Sequence, residues 1–138
     1  MSSVQIKRVE TKKDLKAFIE CHYDLYEGNQ YDAPNLYSDE LVVGRVAAII
    51  NNKANEKWDK KDVRFGWIDF IDDIEVSKAL LKAVEDYGRE KGMTSVVGPL
   101  GFTDMDPEGM LTWGFDQLGT MATIYNYDYY PKPHVNIP

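Results

Sequence analysis

The chain has 138 residues, of which 43% are apolar and 28% are charged, as in a single folded domain rather than a disordered or fibrous chain. A formal net charge of −7 disfavours binding to nucleic acid or to an anionic membrane surface. One cysteine excludes an internal disulfide, and no apolar run is long enough for a membrane span, so we expect a cytoplasmic protein.

The first part of the chain predicts a strand, a helix, a loop and a second strand. Apolar residues alternate in VQIKRV, residues 4–9, which predicts a short strand. A capping pattern and apolar residues at helical spacing then predict an amphipathic helix over 12–27. Turn-forming residues dominate 27–40 and predict a loop. The apolar, β-branched run VVGRVAAII, residues 42–50, predicts a buried strand.

The second part predicts two further strands around a long helix. Residues 51–62 are polar and predict either a loop or a short helix, and VRFGWIDFI, residues 63–71, predicts a second long strand. A helix is expected over 75–91, with Asp residues before it to cap it and a glycine after it. TSVVGPL, residues 94–100, predicts a strand, and a last strand is expected at 121–127.

This order of elements predicts the fold class. We expect an α+β domain over residues 1–138, with a mixed, mainly antiparallel central sheet and helices packed on it. The two long strands should be neighbours, and the second long helix should pack on one face of the sheet. No turn residue separates Leu41 from the strand that starts at Val42, which predicts a segment missing at 41–42.

A family resemblance is carried by the C-terminal third of the chain. The strings GPLGFTDMDPEGMLTWGFD, residues 98–116, and TIYNYDYYP, residues 123–131, resemble a segment of bacterial proteins described as GNAT-like, which have the N-acetyltransferase fold. The order of the remaining elements is similar to that fold. The resemblance implies one GNAT-like domain, an acyl-CoA-dependent N-acyltransferase activity, acetyl-CoA as the cofactor and a small molecule or an amine as the substrate.

The chain departs from the family pattern at three places. The family has a strand where Leu41 meets Val42, and a helix where this chain continues as PKPHVNIP. Asp128 stands where the family has a proline. The resemblance therefore implies a trimmed form of a longer protein, and a non-catalytic GNAT-like binding or scaffolding domain is the alternative to an enzyme.

The resemblance places coenzyme phosphates at the turn before the second long helix. The cofactor-binding residues would be Ile74, Val76 and Ser77, through backbone amides of the kind that hold a pyrophosphate. This turn has no glycine and three carboxylates within 72–75. Because carboxylates at a helix N-terminus satisfy the amides themselves, we expect Asp72 or Asp73 to cap the helix and to prevent micromolar binding of coenzyme A there.

Three residues are candidates for catalysis. Asp69 lies in the apolar run WIDFI and, if it faces the interior, needs a partner or a raised pKa, which would make it a general base. An exposed aspartate is the alternative. The resemblance makes Tyr130 or Tyr129 the acid that protonates the departing thiolate, and the alternative is that these aromatics cover the sheet edge.

Two further patterns carry weaker predictions. DMDPEG, residues 104–109, resembles the start of a calcium-binding loop, but the twelfth position is Phe115 rather than Glu, so we predict a tight acidic turn and no metal. His22 lies on the apolar face of the first helix and is interpreted as a packing residue rather than a catalytic one. The sequence leaves the oligomeric state open.

Overall fold

The fold is a three-stranded mixed sheet with helices packed against it, seen in a computed structural model that describes residues 4–25, 42–119 and 124–132. The elements in chain order are α1 (Lys12–Leu25), β1 (Gly44–Ile49), α2 (Asn52–Trp58), β2 (Asp62–Phe70), α3 (Ile74–Glu90) and β3 (Ser95–Val97). The strand order is β1-β2-β3, with β1 antiparallel and β3 parallel to β2. The predicted α+β class and the adjacency of the two long strands are confirmed.

The three helices begin where short polar side chains can satisfy the first free amides. The predicted capping pattern before α1 is formed, because the Asp14 amide donates to Thr11 Oγ1 over 3.1 Å and the Thr11 amide donates to Asp14 Oδ2 over 3.0 Å. The Asn51 side chain accepts from the Ala54 amide and starts α2, so residues 51–62 include a short helix rather than only a loop. Asp73 caps α3 in the same way.

The predicted strand at 4–9 is wrong. Residues 4–10 form neither a helix nor a strand, because no described strand lies beside them to complete a ladder of hydrogen bonds. The segment is held by side chains instead: Val4 packs against the core, and the Arg8 guanidinium lies 5.9 Å from the centre of the Tyr87 ring on α3. Ile6 and Val9 remain exposed.

The predicted last strand is not formed at 124–127, and the rest of it, 121–123, lies outside the described residues. The side chain of Asn126 makes the pairing that a strand backbone would make. Its Oδ1 accepts from the Leu111 amide over 2.7 Å, and its Nδ2 donates to the Leu111 carbonyl over 3.1 Å. Because the Asn126 side chain pairs with both the backbone N–H and the backbone C=O of Leu111, the two segments are joined without a ladder.

The core lies between α3 and the sheet, as expected from the helix period. Val76, Leu80 and Val84 of α3 are buried with residues of β2 that include Val63 and Phe70. The predicted packing of this helix on one face of the sheet is confirmed. This packing fixes the end of β2, and with it the position of Asp69.

A β-bulge divides β2 into two parts. Arg45 of β1 pairs with Asp69 and Ala47 pairs with Gly66, so β2 has one extra residue between the two pairs, and Trp67 there has a φ of 51°. Before the bulge the buried core residues are Val63 and Phe65, and after it they are Ile68 and Phe70. The bulge therefore shifts the alternation by one and turns Asp69 to the face on which Arg45 lies.

Two predictions concern the chain break and the topology. The proposed break at 41–42 involves Leu41, which lies outside the described residues. GNAT-like topology stays a prediction, since an α+β class alone does not define it. Within residues 4–25, 42–119 and 124–132, we find no helix with the length and apolar character needed to cross a membrane.

Candidate functional site

A cluster of polar side chains surrounds the buried Asp69, near the end of β2. Asp69 is 6% exposed, and Arg45 from the neighbouring strand donates to its Oδ2 through Nε over 2.8 Å and through Nη2 over 2.7 Å. The same guanidinium donates to the Phe18 carbonyl of α1 over 3.0 Å and lies over the Phe18 ring. Arg45 therefore neutralises the carboxylate and ties β1 and β2 to α1.

His22 reaches the same carboxylate from α1. Its Nδ1 is 3.0 Å from Asp69 Oδ2, and 43% of the side chain is exposed to solvent. Since an ionised carboxylate can only accept hydrogen bonds, Nδ1 carries the hydrogen in this contact. The imidazole thus joins a buried charge on one side to an accessible surface on the other.

The two candidate tyrosines lie against the end of β2 but donate their hydroxyls to different acceptors. Tyr130 is 2% exposed, stacks on Phe70 at 4.4 Å between ring centres, and donates its hydroxyl to Asp69 Oδ1 over 3.0 Å. Tyr129 donates its hydroxyl to the Phe70 carbonyl over 2.7 Å. Burial, with smaller contributions from Tyr127 and Asp72, raises the pKa of Tyr129 to about 12, which makes its hydroxyl a weak proton donor.

Asp69 is held in its charged form. Burial by itself raises the pKa of a carboxyl group, but the hydrogen bond from His22, the charge of Arg45 and the hydrogen bond from Tyr130 outweigh it and lower the pKa of Asp69. Of the two outcomes predicted for an inward-facing Asp69, a partner or a raised pKa, the structure has the partner. A carboxylate stabilised in this way is a poor proton acceptor and a good anchor for the groups that donate to it.

The predicted cofactor residues lie at the start of α3, apart from this cluster. Val76 and Ser77 are buried, and the Ser77 hydroxyl donates to the Ile74 carbonyl over 3.0 Å. Ile74 is exposed. Asp73 Oδ1 accepts from the Glu75 amide over 2.9 Å, as predicted, so an amide that a pyrophosphate would use is already satisfied. The residues present do not fit a phosphate cradle.

The acidic turn after β3 is closed by hydrogen bonds between its own side chains and backbone amides. The Asp106 carboxylate accepts from the Thr103 amide over 2.9 Å, and the Thr103 hydroxyl accepts from the Met105 amide over 3.2 Å. In the part of the chain that the structure describes, no three His, Cys, Asp or Glu side chains are grouped so as to hold a metal ion.

Sequence reasoning missed Arg45 and the contact made by His22. The available signal was that three polar residues each interrupt an apolar segment: His22 on the apolar face of α1, Arg45 in VVGRVAAII and Asp69 in WIDFI. Charged residues are rarely buried unless they are paired, so three such interruptions predict a shared buried site. The sequence could suggest that pairing without showing which residues meet.

Comparisons with known proteins found relatives that are similar over part of their length. The chain is 32% identical to Protein YghO of Escherichia coli over 130 aligned residues, which cover 76% of this chain and 33% of that protein. It is 37% identical to the bacterial ceramide synthase of Caulobacter vibrioides over 75 residues, which cover 54% of this chain and 20% of that protein. The chain therefore spans between a fifth and a third of the length of these relatives. No protein-family model matches it, and neither does any solved structure.

Proposed function

We propose that this chain is part of an N-acyltransferase that moves an acyl group from a thioester such as an acyl-CoA to an amine. The observation that carries the proposal is the buried Asp69, to which α1, β1 and the segment after residue 123 each contribute a donor. Such a network holds an imidazole and a phenol at the end of one strand with little freedom to move. N-Acyl transfer from a thioester needs groups of this kind to move protons.

The name of one relative supports the same chemistry. Ceramide is the amide of a fatty acid and a long-chain amino alcohol, so a ceramide synthase makes an N-acyl bond. The alignment with this chain covers a fifth of that protein, so the acceptor amine and the acyl group have to be identified by assay. The net charge of −7 favours a neutral or cationic acceptor, which suits an amine.

The experiment is an assay for amide products. The 138-residue chain is incubated with acetyl-CoA or a long-chain acyl-CoA and with a short amine or a long-chain amino alcohol, and products are identified by mass spectrometry. We expect an N-acyl product that requires the folded protein and that falls by at least 100-fold with Asp69→Asn, the roughly 10²–10⁴-fold range of proton-transfer catalysis. Asp72→Asn, at the exposed position directly before the cap of α3, is the matched control and should leave the product unchanged.

A non-catalytic binding domain is the second candidate, and the start of α3 favours it. Asp73 occupies the amide that a coenzyme phosphate would use, and Glu75 adds negative charge beside it. If no acyl donor yields an amide, and acetyl-CoA does not raise the melting temperature, this candidate is supported and the transferase is rejected.

A further inference from the structure

The pairing of His22 with Asp69 assigns a role to a residue that the sequence alone identifies only as a packing residue. We propose that His22 is the general base of the site, that its Nε2 removes the proton from the attacking amine, and that Asp69 is the residue that positions it. The inference rests on the proposed function and adds the identity of the group that moves the proton.

The orientation of the imidazole follows from its partner. Asp69 accepts at Oδ2, so Nδ1 of His22 must donate, and in the neutral ring Nε2 is then the nitrogen with a lone pair. A carboxylate that is buried and bonded to the other ring nitrogen is the arrangement that holds a catalytic histidine in one tautomer. The exposed 43% of the side chain gives the ring access to a substrate.

The remaining partners of Asp69 explain why the carboxylate does not act as the base itself. Arg45 and Tyr130 donate to it from the buried side, and their hydrogen bonds would be weakened if it took a proton. In these contacts, Arg45 and Tyr130 donate to Asp69 and not to the imidazole. The proton-accepting group that reaches the surface is therefore His22.

The reaction step balances with the amine and the acyl thioester alone. The amine nitrogen attacks the thioester carbonyl carbon, a C–N bond forms, and Nε2 of His22 takes the proton from that nitrogen. The C–S bond then breaks, and the imidazolium returns the proton to the departing thiolate. The products are an amide and a free thiol, and His22 is regenerated. Tyr130 is not required as the acid in this step.

The test of the base uses two histidine variants. The chain has two histidines, so His134→Gln is the matched control for His22→Gln. We expect His22→Gln to lower kcat by about 100-fold or more, with KM changed far less. Added imidazole should restore activity to His22→Gly and have no effect on the wild type. Activity of His22→Gln within threefold of the wild type would overturn the inference while leaving the proposed function intact.

A measurement without turnover separates the two proposals. The ¹⁵N shifts of His22 report which ring nitrogen carries the hydrogen at pH 8, and we expect Nδ1–H in the wild type and Nε2–H in Asp69→Asn. An Nε2–H tautomer in the wild type overturns the inference whatever the activity. Absence of any amide product from the wild type overturns the proposed function and, with it, the role of His22 in that reaction.

Discussion

Two carboxylates four residues apart, Asp69 in β2 and Asp73 before α3, have opposite surroundings. Asp69 is buried and receives hydrogen bonds from Arg45, His22 and Tyr130, which come from three separate segments. Asp73 is exposed and accepts from the Glu75 amide of its own helix. One carboxylate joins distant parts of the chain, and the other completes a local element. At this end of the sheet, the contacts between distant segments are therefore centred on β2 rather than on the helix start.

Removal of the buried carboxylate should have the largest effect. Asp69→Ala leaves the Arg45 guanidinium buried without its counter-charge, which typically costs about 3–5 kcal/mol of the free energy of unfolding. Urea denaturation at pH 7 measures this loss in the free energy of unfolding. Asp72→Ala, an exposed neighbour, is the control and should stay within about 0.5 kcal/mol of the wild type. A loss below about 1 kcal/mol for Asp69→Ala would show that the network does not hold the fold together.

The two tyrosines allow a charged acceptor to be compared with a neutral one. Tyr130→Phe removes a hydroxyl that donates to the Asp69 carboxylate, a type of hydrogen bond worth about 1.5–3 kcal/mol. Tyr129→Phe removes one that donates to the Phe70 carbonyl, worth about 0.5–1.5 kcal/mol. Unfolding free energies measured for both variants should show the larger loss at Tyr130, and the reverse order would contradict the ionised state of Asp69.

Acid should weaken the fold by a smaller amount, because protonation leaves the Asp69 side chain in place. The pKa of Asp69 is lowered in the folded state, so its stabilisation is complete above the unfolded value of about 3.9 and is lost as the pH falls through the folded value. We expect the free energy of unfolding to decrease below about pH 4, and Asp69→Asn to lack this part of the decrease.

The exposed Asp86 provides the control for the acid experiment. The hydrogen bond from Lys82 lowers the pKa of Asp86, but solvent and ions screen this contribution. In 1 M salt, the difference between Asp69→Asn and the wild type should persist, while any difference between Asp86→Asn and the wild type should shrink. Equal loss of both differences would show that Asp69 is not shielded from solvent.

Loss of the local cap should cost less than loss of the buried network. Asp73→Ala removes the acceptor of the Glu75 amide, and N-cap replacements of this kind cost about 1 kcal/mol. Thermal and urea unfolding measure it. Asp73→Ser keeps a capping oxygen and should recover most of the stability. If Asp73→Ala cost as much as Asp69→Ala, the contrast between the two carboxylates would be lost.

The smallest expected signal is the binding of coenzyme A at the start of α3. Calorimetry of acetyl-CoA with the wild type should give no micromolar affinity that depends on Ser77, because the cap satisfies the amide at this turn and the nearby charges repel phosphates. The Asp73→Gly, Glu75→Gly double variant tests whether these acids are the cause. Tight binding by the wild type at physiological salt, lost on further substitution of Ser77, would show that the turn holds phosphate.

The fold was predictable from the sequence where the signals are local. The period of apolar residues and the caps gave α1 and α3 to within two residues at their described ends, and the β-branched runs gave β1 and β2. The alternation of apolar and polar residues wrongly predicted a strand at residues 4–9. A strand also needs a partner strand, and none lies beside this segment in the described part of the chain. Asn126 likewise replaces a strand pairing with its side chain, which no alternation pattern indicates.

The site was less predictable because its contacts are distant in sequence. The partners of Asp69 lie 47, 24 and 61 residues away, at His22, Arg45 and Tyr130. Asp69 and Tyr130 were each candidates, but their hydrogen bond depends on how the strand and the C-terminal segment pack. A prediction of catalytic roles from a family pattern named the tyrosines and did not identify the imidazole that the fold brings to the same carboxylate.

The bulge at Trp67 divides β2 into two parts in which the alternation of buried residues differs by one position. Before the bulge, odd-numbered residues of β2 face α3, and after the bulge even-numbered residues do. If the same sequence paired in one regular ladder without the bulge, the environments of Asp69 and Phe70 would be exchanged, which would place an ionised group among apolar side chains and a phenyl ring beside Arg45. The extra residue at the bulge therefore decides which side chains β2 presents to α3, and a chain that lacked this residue would keep Phe70 on the α3 side and Asp69 beside Arg45 in an unbroken ladder.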